Sequence, residues 1–395
     1  MAISNKIEKF IEEGGWIRKM FESGIALKQQ YGANNVFDLS LGNPVIEPPK
    51  EFHQALLDLA SNPKPGMHRY MPNAGYQSTR DIIASTISEE SKVILTGNNI
   101  VMTCGAAAAL NVTLKTVINP GDEVIILSPF FVEYEYYIDN HGGTPIIVPT
   151  NSDFSINVDA INSAVTERTK ALIINSPNNP TGTVYNEQTY IDLSDVFTQK
   201  QQHYNKEIYI ISDEPYRKIV FEDTVCPHWF NHYQNSIIVH SHAKDLALPG
   251  ERIGYIAVSP KSYNSGTLID GLTFSNRILG FVNAPAIMQN LIENLQKAAI
   301  DPNIYYKKMN FLFNELTQMG YEITKPQGAF YLFPKSPIQD DAQFTDELLQ
   351  EKVLVVPGRG FGTSGHFRIS YCVEDSVIEG SLTGFKKLAT KYRMV

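Results

Sequence analysis

Residues 237–258 read I-I-V-H-S-H-A-K-D-L-A-L-P-G-E-R-I-G-Y-I-A-V. This segment begins and ends with short runs dominated by apolar residues, Ile237–His240 and Ile253–Val258. Such runs are typical of strands buried on both faces, as in a mostly parallel sheet covered by helices. Lys244 lies in the polar stretch between them, so the segment predicts two core strands joined by a loop that carries a chemically active side chain.

Five further runs of the same kind precede this segment. They are Ile100–Thr103, Val124–Leu127, Ile146–Val148, Ala171–Asn175 and Ile208–Ser212. Turn-forming stretches separate them, such as N-P-G-D at 119–122 and S-P-N-N-P-T-G at 176–182. Short buried strands that alternate with helical stretches predict a doubly wound α/β domain with about seven strands.

The pattern changes after about residue 285. A long helical stretch is expected from Pro285 into the 300s, followed by strand-like segments in E-I-T-K-P-Q-G-A-F-Y-L-F, V-L-V-V-P-G and F-R-I-S-Y. The first residues resemble a helical arm that joins this smaller α+β unit. We therefore predict an arm with part of the small domain over 1–45, a large domain over 46–285, and a C-terminal small domain over 286–395.

The composition limits the classes of partner. Hydrophobic residues make up 43% and charged residues 19% of the 395, which is typical of a globular protein. A formal net charge of -9 argues against a nucleic-acid surface. The three cysteines show no metal-binding spacing, and the N-terminal stretch lacks an apolar signal core. No apolar run reaches the roughly 20 residues of a membrane helix. We expect a cytoplasmic protein with no membrane, nucleic-acid or metal partner.

Residues that follow the predicted strands are candidates for an anion site, because ligands of open α/β sheets bind beyond the carboxyl ends of the strands. Gly105 and Ala106 lie at a predicted helix start, where backbone N–H groups favour an anion. Tight helix–sheet packing of small residues is the commoner reason for such a pair. Ser241 and Arg252 flank Lys244, and an arginine can bind two phosphate oxygens at once.

A second set of strand-end residues suits a planar ring. Phe131 could lie flat on such a ring, and Asn179 could donate to a phenolic oxygen. Asp213, if buried, would keep a pyridine nitrogen protonated, and Tyr216 could hydrogen bond to the ring hydroxyl. Each has an ordinary alternative: a core aromatic, a turn residue or a helix N-cap.

Lys244 and Arg368 complete the set. A lysine in a buried cleft can have a lowered pKa, which suits imine formation with an aldehyde, whereas a solvated lysine is the ordinary alternative. Arg368 lies in a strand-like context and, if buried, needs an anion such as a substrate carboxylate or an internal salt bridge. Together the residues indicate pyridoxal 5'-phosphate as the cofactor.

Three motifs occur in order: N-P-T-G at 179–182, D-E-P-Y at 213–216, and S-x-x-K-x-x-x-x-P-G-x-R-x-G-Y at 241–255. Through them the chain resembles the pyridoxal-phosphate-dependent aminotransferases of class I/II, the fold-type-I aspartate aminotransferase superfamily, over nearly its whole length. The resemblance implies an enzyme that transfers an amino group from an L-amino acid to a 2-oxo acid.

The resemblance also implies a role for each residue. Lys244 carries the cofactor and shuttles the proton, while Asp213 and Tyr216 assist at the ring nitrogen and ring hydroxyl. The other cofactor contacts within the subunit are Gly105, Ala106, Phe131, Asn179, Ser241 and Arg252. The substrate contacts are Arg368 for the α-carboxylate, Asn179 and Gly42.

Two further residues are expected to act across a homodimer with shared active sites. Tyr70, in H-R-Y-M-P-N-A-G-Y, resembles the tyrosine that reaches the phosphate of the neighbouring subunit. Arg277 is close to, but out of register with, the arginine that binds a distal carboxylate in aspartate-specific members. A surface ion pair is the more common role for such an arginine.

The chain departs from the family pattern at two sites, and two alternative functions stay open. Ala106 replaces a frequent hydroxyl residue of the phosphate cup, and Phe131 replaces a frequent Tyr or Trp. A C–S β-lyase, or a related enzyme of the same fold that acts at the α-carbon such as a cyclase, shares nearly all the cofactor residues. A cofactor-binding regulatory domain is less favoured, because residues 1–40 are too few for a DNA-binding domain.

Overall fold

The computed structural model describes residues 2–13 and 15–394. The strands are β1 (Phe37–Asp38), β2 (Ile100–Thr103), β3 (Glu123–Ser128), β4 (Thr144–Pro149), β5 (Thr169–Asn175), β6 (Tyr209–Asp213), β7 (Ser236–Ser241), β8 (Gly254–Val258), β9 (Tyr331–Leu332), β10 (Val353–Leu354), β11 (Val356–Pro357) and β12 (Phe367–Ser370).

The α-helices are α1 (Asn5–Glu13), α2 (Trp16–Tyr31), α3 (Lys50–Ser61), α4 (Gln77–Ser91), α5 (Ala106–Val117), α6 (Glu133–Asn140), α7 (Val158–Ala164), α8 (Glu187–Tyr204), α9 (Trp229–His232), α10 (His242–Asp245), α11 (Ser265–Ile278), α12 (Ala286–Ile292), α13 (Pro302–Gln318), α14 (Asp341–Gln350) and α15 (Asp375–Lys391). Among the described residues, no helix is both long and apolar enough to cross a bilayer.

A seven-stranded sheet forms the centre of the molecule, in the order β2-β8-β7-β6-β5-β3-β4. All its neighbouring strands are parallel except at β8, which is antiparallel to both β2 and β7. The predicted mostly parallel sheet is therefore confirmed, and each predicted run overlaps one of its strands. Burial on both faces is wrong for β4, where Ile147 is exposed, because β4 lies at the edge of the sheet.

A smaller unit is built from the two ends of the chain. β11, β12 and β9 form an antiparallel sheet, and β1 pairs in parallel with β10. Leu39, just after β1, shares an apolar cluster with Ile369 of β12 and Phe385 of α15. The segment around β1 therefore packs with the C-terminal part of the chain.

The expected long helix after Pro285 is instead two helices, α12 and α13. The Asp301 side chain accepts a hydrogen bond from the backbone N–H of Asn303, and Pro302 occupies the first turn of α13. Both features are typical of a helix start, so the chain begins a new helix here. Because α12 contributes Met288 to the apolar cluster around β2, the packing favours a large domain that extends beyond residue 285. The domain boundaries themselves stay a prediction.

Candidate active site

A cavity of about 280 Å³ lies at the carboxyl ends of the parallel strands of the central sheet. Because these strands run in the same direction, the residues that follow them meet at one edge. Ten of the predicted site residues line the cavity: Gly42, Ala106, Phe131, Asn179, Asp213, Tyr216, Ser241, Lys244, Arg252 and Arg368. The structure thus brings together side chains from both ends of the chain.

Three predicted residues do not line this cavity. Gly105 has a positive φ of +85, and an added Cβ there would lie 3.0 Å from Nη2 of Arg252, which does line the cavity. Tyr70 is 93% exposed, and Arg277 is exposed near the end of α11. Within one chain, therefore, neither Tyr70 nor Arg277 contributes to the cavity.

Lys244 lies on the short helix α10, which begins after β7. Ser241 starts this helix, because its side chain accepts a hydrogen bond from the backbone N–H of Ala243. Nζ of Lys244 donates a 2.6 Å hydrogen bond to the carbonyl of Gly42 and lies 5.4 Å from the centre of the Phe330 ring. Burial lowers the pKa of Lys244 to about 8, so the neutral amine is available at a lower pH than for a solvated lysine.

Asp213 ends β6 and is buried. A turn follows it rather than a helix, so the N-cap alternative is wrong. Its Oδ2 accepts a 2.5 Å hydrogen bond from the Tyr134 hydroxyl, while its Oδ1 is covered from solvent and has no partner in the described part of the chain. Burial raises the pKa of Asp213 to about 7, and the Tyr134 hydrogen bond opposes this rise. A buried acceptor without a donor fits the N–H of a protonated pyridine ring.

The start of α5 lines one side of the cavity through Ala106 and Ala107. No side chain caps this helix, so its first backbone N–H groups are available to an anion. Arg252 lies beside it, where its guanidinium donates to the carbonyls of Pro249 at 2.9 Å and Cys104 at 3.4 Å. With Ser241 lining the same wall, these groups suit a phosphate.

Arg368 is buried on β12 and is held by neutral groups. Nη1 donates to Oδ1 of Asn179 at 3.1 Å, and Nη2 donates to the carbonyl of Ser40 at 2.6 Å. The guanidinium lies 4.8 Å from the centre of the Tyr331 ring. Among the described residues Arg368 has no ion-pair partner, and its Nε has no hydrogen bond. A buried cation without an anion fits the carboxylate of a substrate.

Four lining residues with polar side chains were missed from the sequence: Glu133, Tyr134, Asn175 and Tyr331. Tyr134 could have been found, because it follows the same predicted strand as Phe131 and lies only three residues further along the chain. Tyr331 could not, because it comes from β9 of the smaller unit. Its hydroxyl lies 2.9 Å from that of Tyr216, so it meets the same ring-hydroxyl side of the cavity.

Asp245, next to Lys244, is held by contacts with two histidine side chains. Its Oδ2 lies 3.3 Å from Nε2 of His240 and 3.1 Å from Nδ1 of His242. Although burial opposes it, the charge and hydrogen bonds of these histidines hold the pKa of Asp245 well below its usual value. The three side chains are close enough to ligate a metal ion, but the Lys218 ammonium lies 3.7 Å from the same oxygen. That positive charge disfavours a cation, so we assign the cluster a hydrogen-bonding role.

Comparison with known proteins gives one consistent family. The family model "Aminotransferase class I and II" matches residues 34–383. A probable aspartate/prephenate aminotransferase of Aquifex aeolicus is 31% identical, over 88% of this chain and 89% of that protein. An amino transferase from Eubacterium rectale has a TM-score of 0.95 and 35% identity, over 99% of both chains. The aspartate aminotransferase of Thermus thermophilus with maleate has a TM-score of 0.88 and 25% identity, over 98% of this chain and 100% of that chain.

Proposed function

The chain belongs to the class I and II aminotransferases. From that premise we propose that its cavity holds pyridoxal phosphate on Lys244, and that the amino acid and the 2-oxo acid react there in turn, by a ping-pong route. The enzyme transfers an amino group from an L-amino acid to a 2-oxo acid. The unpaired Oδ1 of Asp213 is the observation that most supports a cofactor site here, because it is a buried acceptor at the carboxyl end of β6.

The residues around the cavity have separate roles toward the cofactor. When bound, pyridoxal phosphate supplies an aldehyde that links to amines and a ring that accepts electrons from the substrate α-carbon. Asp213 holds the proton on the ring nitrogen. Asn179 uses its Oδ1 on Arg368, which leaves its Nδ2 to donate to the ring hydroxyl beside Tyr216. The start of α5 and Arg252 bind the phosphate.

Lys244 would move the proton once the amine of the substrate has replaced Nζ at the aldehyde carbon, which leaves Nζ as a free amine. Its pKa of about 8 lies near neutral pH, where a group can both accept and return a proton. Its hydrogen bond to Gly42 directs Nζ towards the substrate side of the cavity. Arg368 orients the substrate there by binding the α-carboxylate, so that the α-hydrogen faces the lysine.

A homodimer completes the proposed site. Tyr70 is 93% exposed, as a residue that reaches into a neighbouring subunit has to be in an isolated chain. Large apolar side chains are also exposed on α11, where Phe274 is 60% and Ile278 is 51% exposed. Such patches favour an interface between protein chains. A cytoplasmic location stays a prediction from the sequence.

Replacement of the lysine tests the assignment. Lys244→Ala should remove both the visible absorbance of the lysine-bound cofactor and turnover. Turnover retained by this variant would show that another group does the chemistry. Product analysis separates the β-lyase alternative, since a lyase releases pyruvate and ammonia, whereas an aminotransferase gives a new amino acid and a 2-oxo acid.

Substrate preference is a separate proposal. Several relatives are named for aspartate, and a distal-carboxylate role for Arg277 would suit such a substrate. The exposure of Arg277 is compatible either with that role across a dimer or with a surface ion pair. The kinetics of Arg277→Ala test this: an unchanged preference for aspartate or glutamate over neutral amino acids removes the idea.

A further inference from the structure

A carboxyl group with one unpaired oxygen lies in the cavity that the substrate is to enter. Glu133 is the first residue of α6 and lines the cavity together with Arg368 and Tyr331. Its Oε2 is covered from solvent and has no hydrogen-bond partner in the described part of the protein. A cavity that receives an anionic α-carboxylate thus also contains an acidic side chain.

Two ordinary explanations do not account for this position. Glu133 is not the partner of Arg368, because two nitrogens of that guanidinium donate to Asn179 and to the carbonyl of Ser40. An acidic residue in the first turn of a helix is stabilised by the helix dipole. Glu135 also lies in the first turn of α6 and interacts with the same dipole, but it lines a different cavity. The dipole therefore does not require a carboxyl group at the active site.

The charged groups around Glu133 affect which substrate side chains can bind in the cavity. Burial raises the pKa of Glu133, and its own backbone N–H and the charge of Arg368 oppose the rise. The nearby Tyr137 is neutral, because burial and, to a smaller extent, the charge of Glu133 raise the pKa of its hydroxyl. Arg368 is to pair with the α-carboxylate, and Lys244 and Arg252 are to be engaged by the cofactor. No other lysine or arginine lines this cavity in the described part of the protein to offset Glu133. A second substrate carboxylate would then meet a like charge in a poorly solvated space.

We propose that Glu133 is a specificity-determining residue that favours amino acids whose side chain ends in a hydrogen-bond donor or a positive charge and disfavours those with a distal carboxylate. The inference rests on the proposed function and concerns the same cavity. It sets this chain apart from its relatives that are named for aspartate. A dicarboxylate role for Arg277 predicts the opposite preference, so one set of measurements decides between them.

The test uses the holoenzyme and two near-isosteric pairs, asparagine with aspartate and glutamine with glutamate. The wild type should have the higher kcat/KM for the amide of each pair. Glu133→Gln should reduce the amide-to-acid ratio about tenfold, the usual scale of a lost close charge contact. Glu133→Asp keeps the charge and should keep the preference for amides. Glu135→Gln is the matched control on the same helix and should leave the ratio unchanged.

Binding without turnover provides a second measurement. Succinate and butyrate carry two and one carboxylates and have no amine to react. Titration followed by cofactor absorbance should show about tenfold tighter succinate binding in Glu133→Gln, with butyrate affinity within about twofold of the wild type. Aspartate preferred by the wild type, or the same ratios in both proteins, would overturn the inference. Failure of every amino acid to react would instead overturn the proposed function.

Discussion

The Tyr134 hydroxyl donates a 2.5 Å hydrogen bond to Oδ2 of Asp213 and leaves Oδ1 of the same carboxyl group unpaired. One oxygen is therefore held by the protein, and the other is left without a donor among the described residues. This division orients the carboxyl group before any ligand arrives, because the bond to Tyr134 fixes the plane in which Oδ1 lies. Without that bond the buried group would be more easily protonated, since burial raises its pKa.

Tyr134→Phe should therefore weaken cofactor binding and turnover. A hydrogen bond to a charged group contributes about 1.5–3 kcal/mol, so a loss of about tenfold or more is expected in each. Absorbance titration of the apoprotein with pyridoxal phosphate measures the affinity. Tyr136→Phe on the same helix is the control, because the Tyr136 ring packs on Phe10 outside the cavity. Equal affinities in the wild type and Tyr134→Phe would contradict this account.

The rate of cofactor uptake should depend on pH through Lys244. Burial disfavours the ammonium form, so the neutral amine that attacks an aldehyde appears as the pH rises through about 8. Uptake by the apoprotein should accelerate with a midpoint near pH 8 instead of near the ordinary lysine value of about 10.4. Stopped-flow absorbance between about pH 6 and pH 10 measures it. A rate that is still rising at about pH 10, with no midpoint near pH 8, would show that Lys244 is well solvated.

Arg368→Lys should impair substrate binding more than cofactor binding. A lysine keeps the charge but cannot present two parallel N–H groups to a carboxylate. We expect kcat/KM to fall about 10–100-fold, with the cofactor affinity changed by no more than about twofold. Arg168→Lys, an exposed arginine paired with Glu123, is the control. A parallel loss of cofactor affinity would place Arg368 at the cofactor instead.

Gly42→Ala should destabilise the protein and disturb the site. An added Cβ would lie 2.0 Å from the Tyr331 hydroxyl, so this ring must move and its contact with Tyr216 is lost. Overpacking of this kind costs about 1–3 kcal/mol of the free energy of unfolding. Gly266→Ala is the matched control, because no heavy atom outside its chain neighbours and the backbone of its own helix lies within 4 Å of its added Cβ. Urea unfolding of both variants checks the difference, and equal midpoints would argue against the close contact.

Much of the fold could be predicted because its signals are local. Each strand of the central sheet is a short apolar run, and the apolar pattern alone shows which segments are buried. Parallel strands then bring their carboxyl ends to one edge, so Asp213 and Lys244 could be placed together from the sequence. The break between α12 and α13 also has a local signal, the N-cap Asp301 followed by Pro302, although the apolar pattern alone suggested a single helix.

The sequence by itself determined the sheet, its strand-end residues and the motifs that place the chain in its family. The tertiary structure alone decided which oxygen of Asp213 stays free, that Tyr331 meets Tyr216, and that Glu133 enters the cavity while Glu135 does not. The physical reason is the range of the interactions. Apolar periodicity acts over a few neighbouring residues, whereas these contacts depend on how the smaller unit and α6 pack against the edge of the sheet.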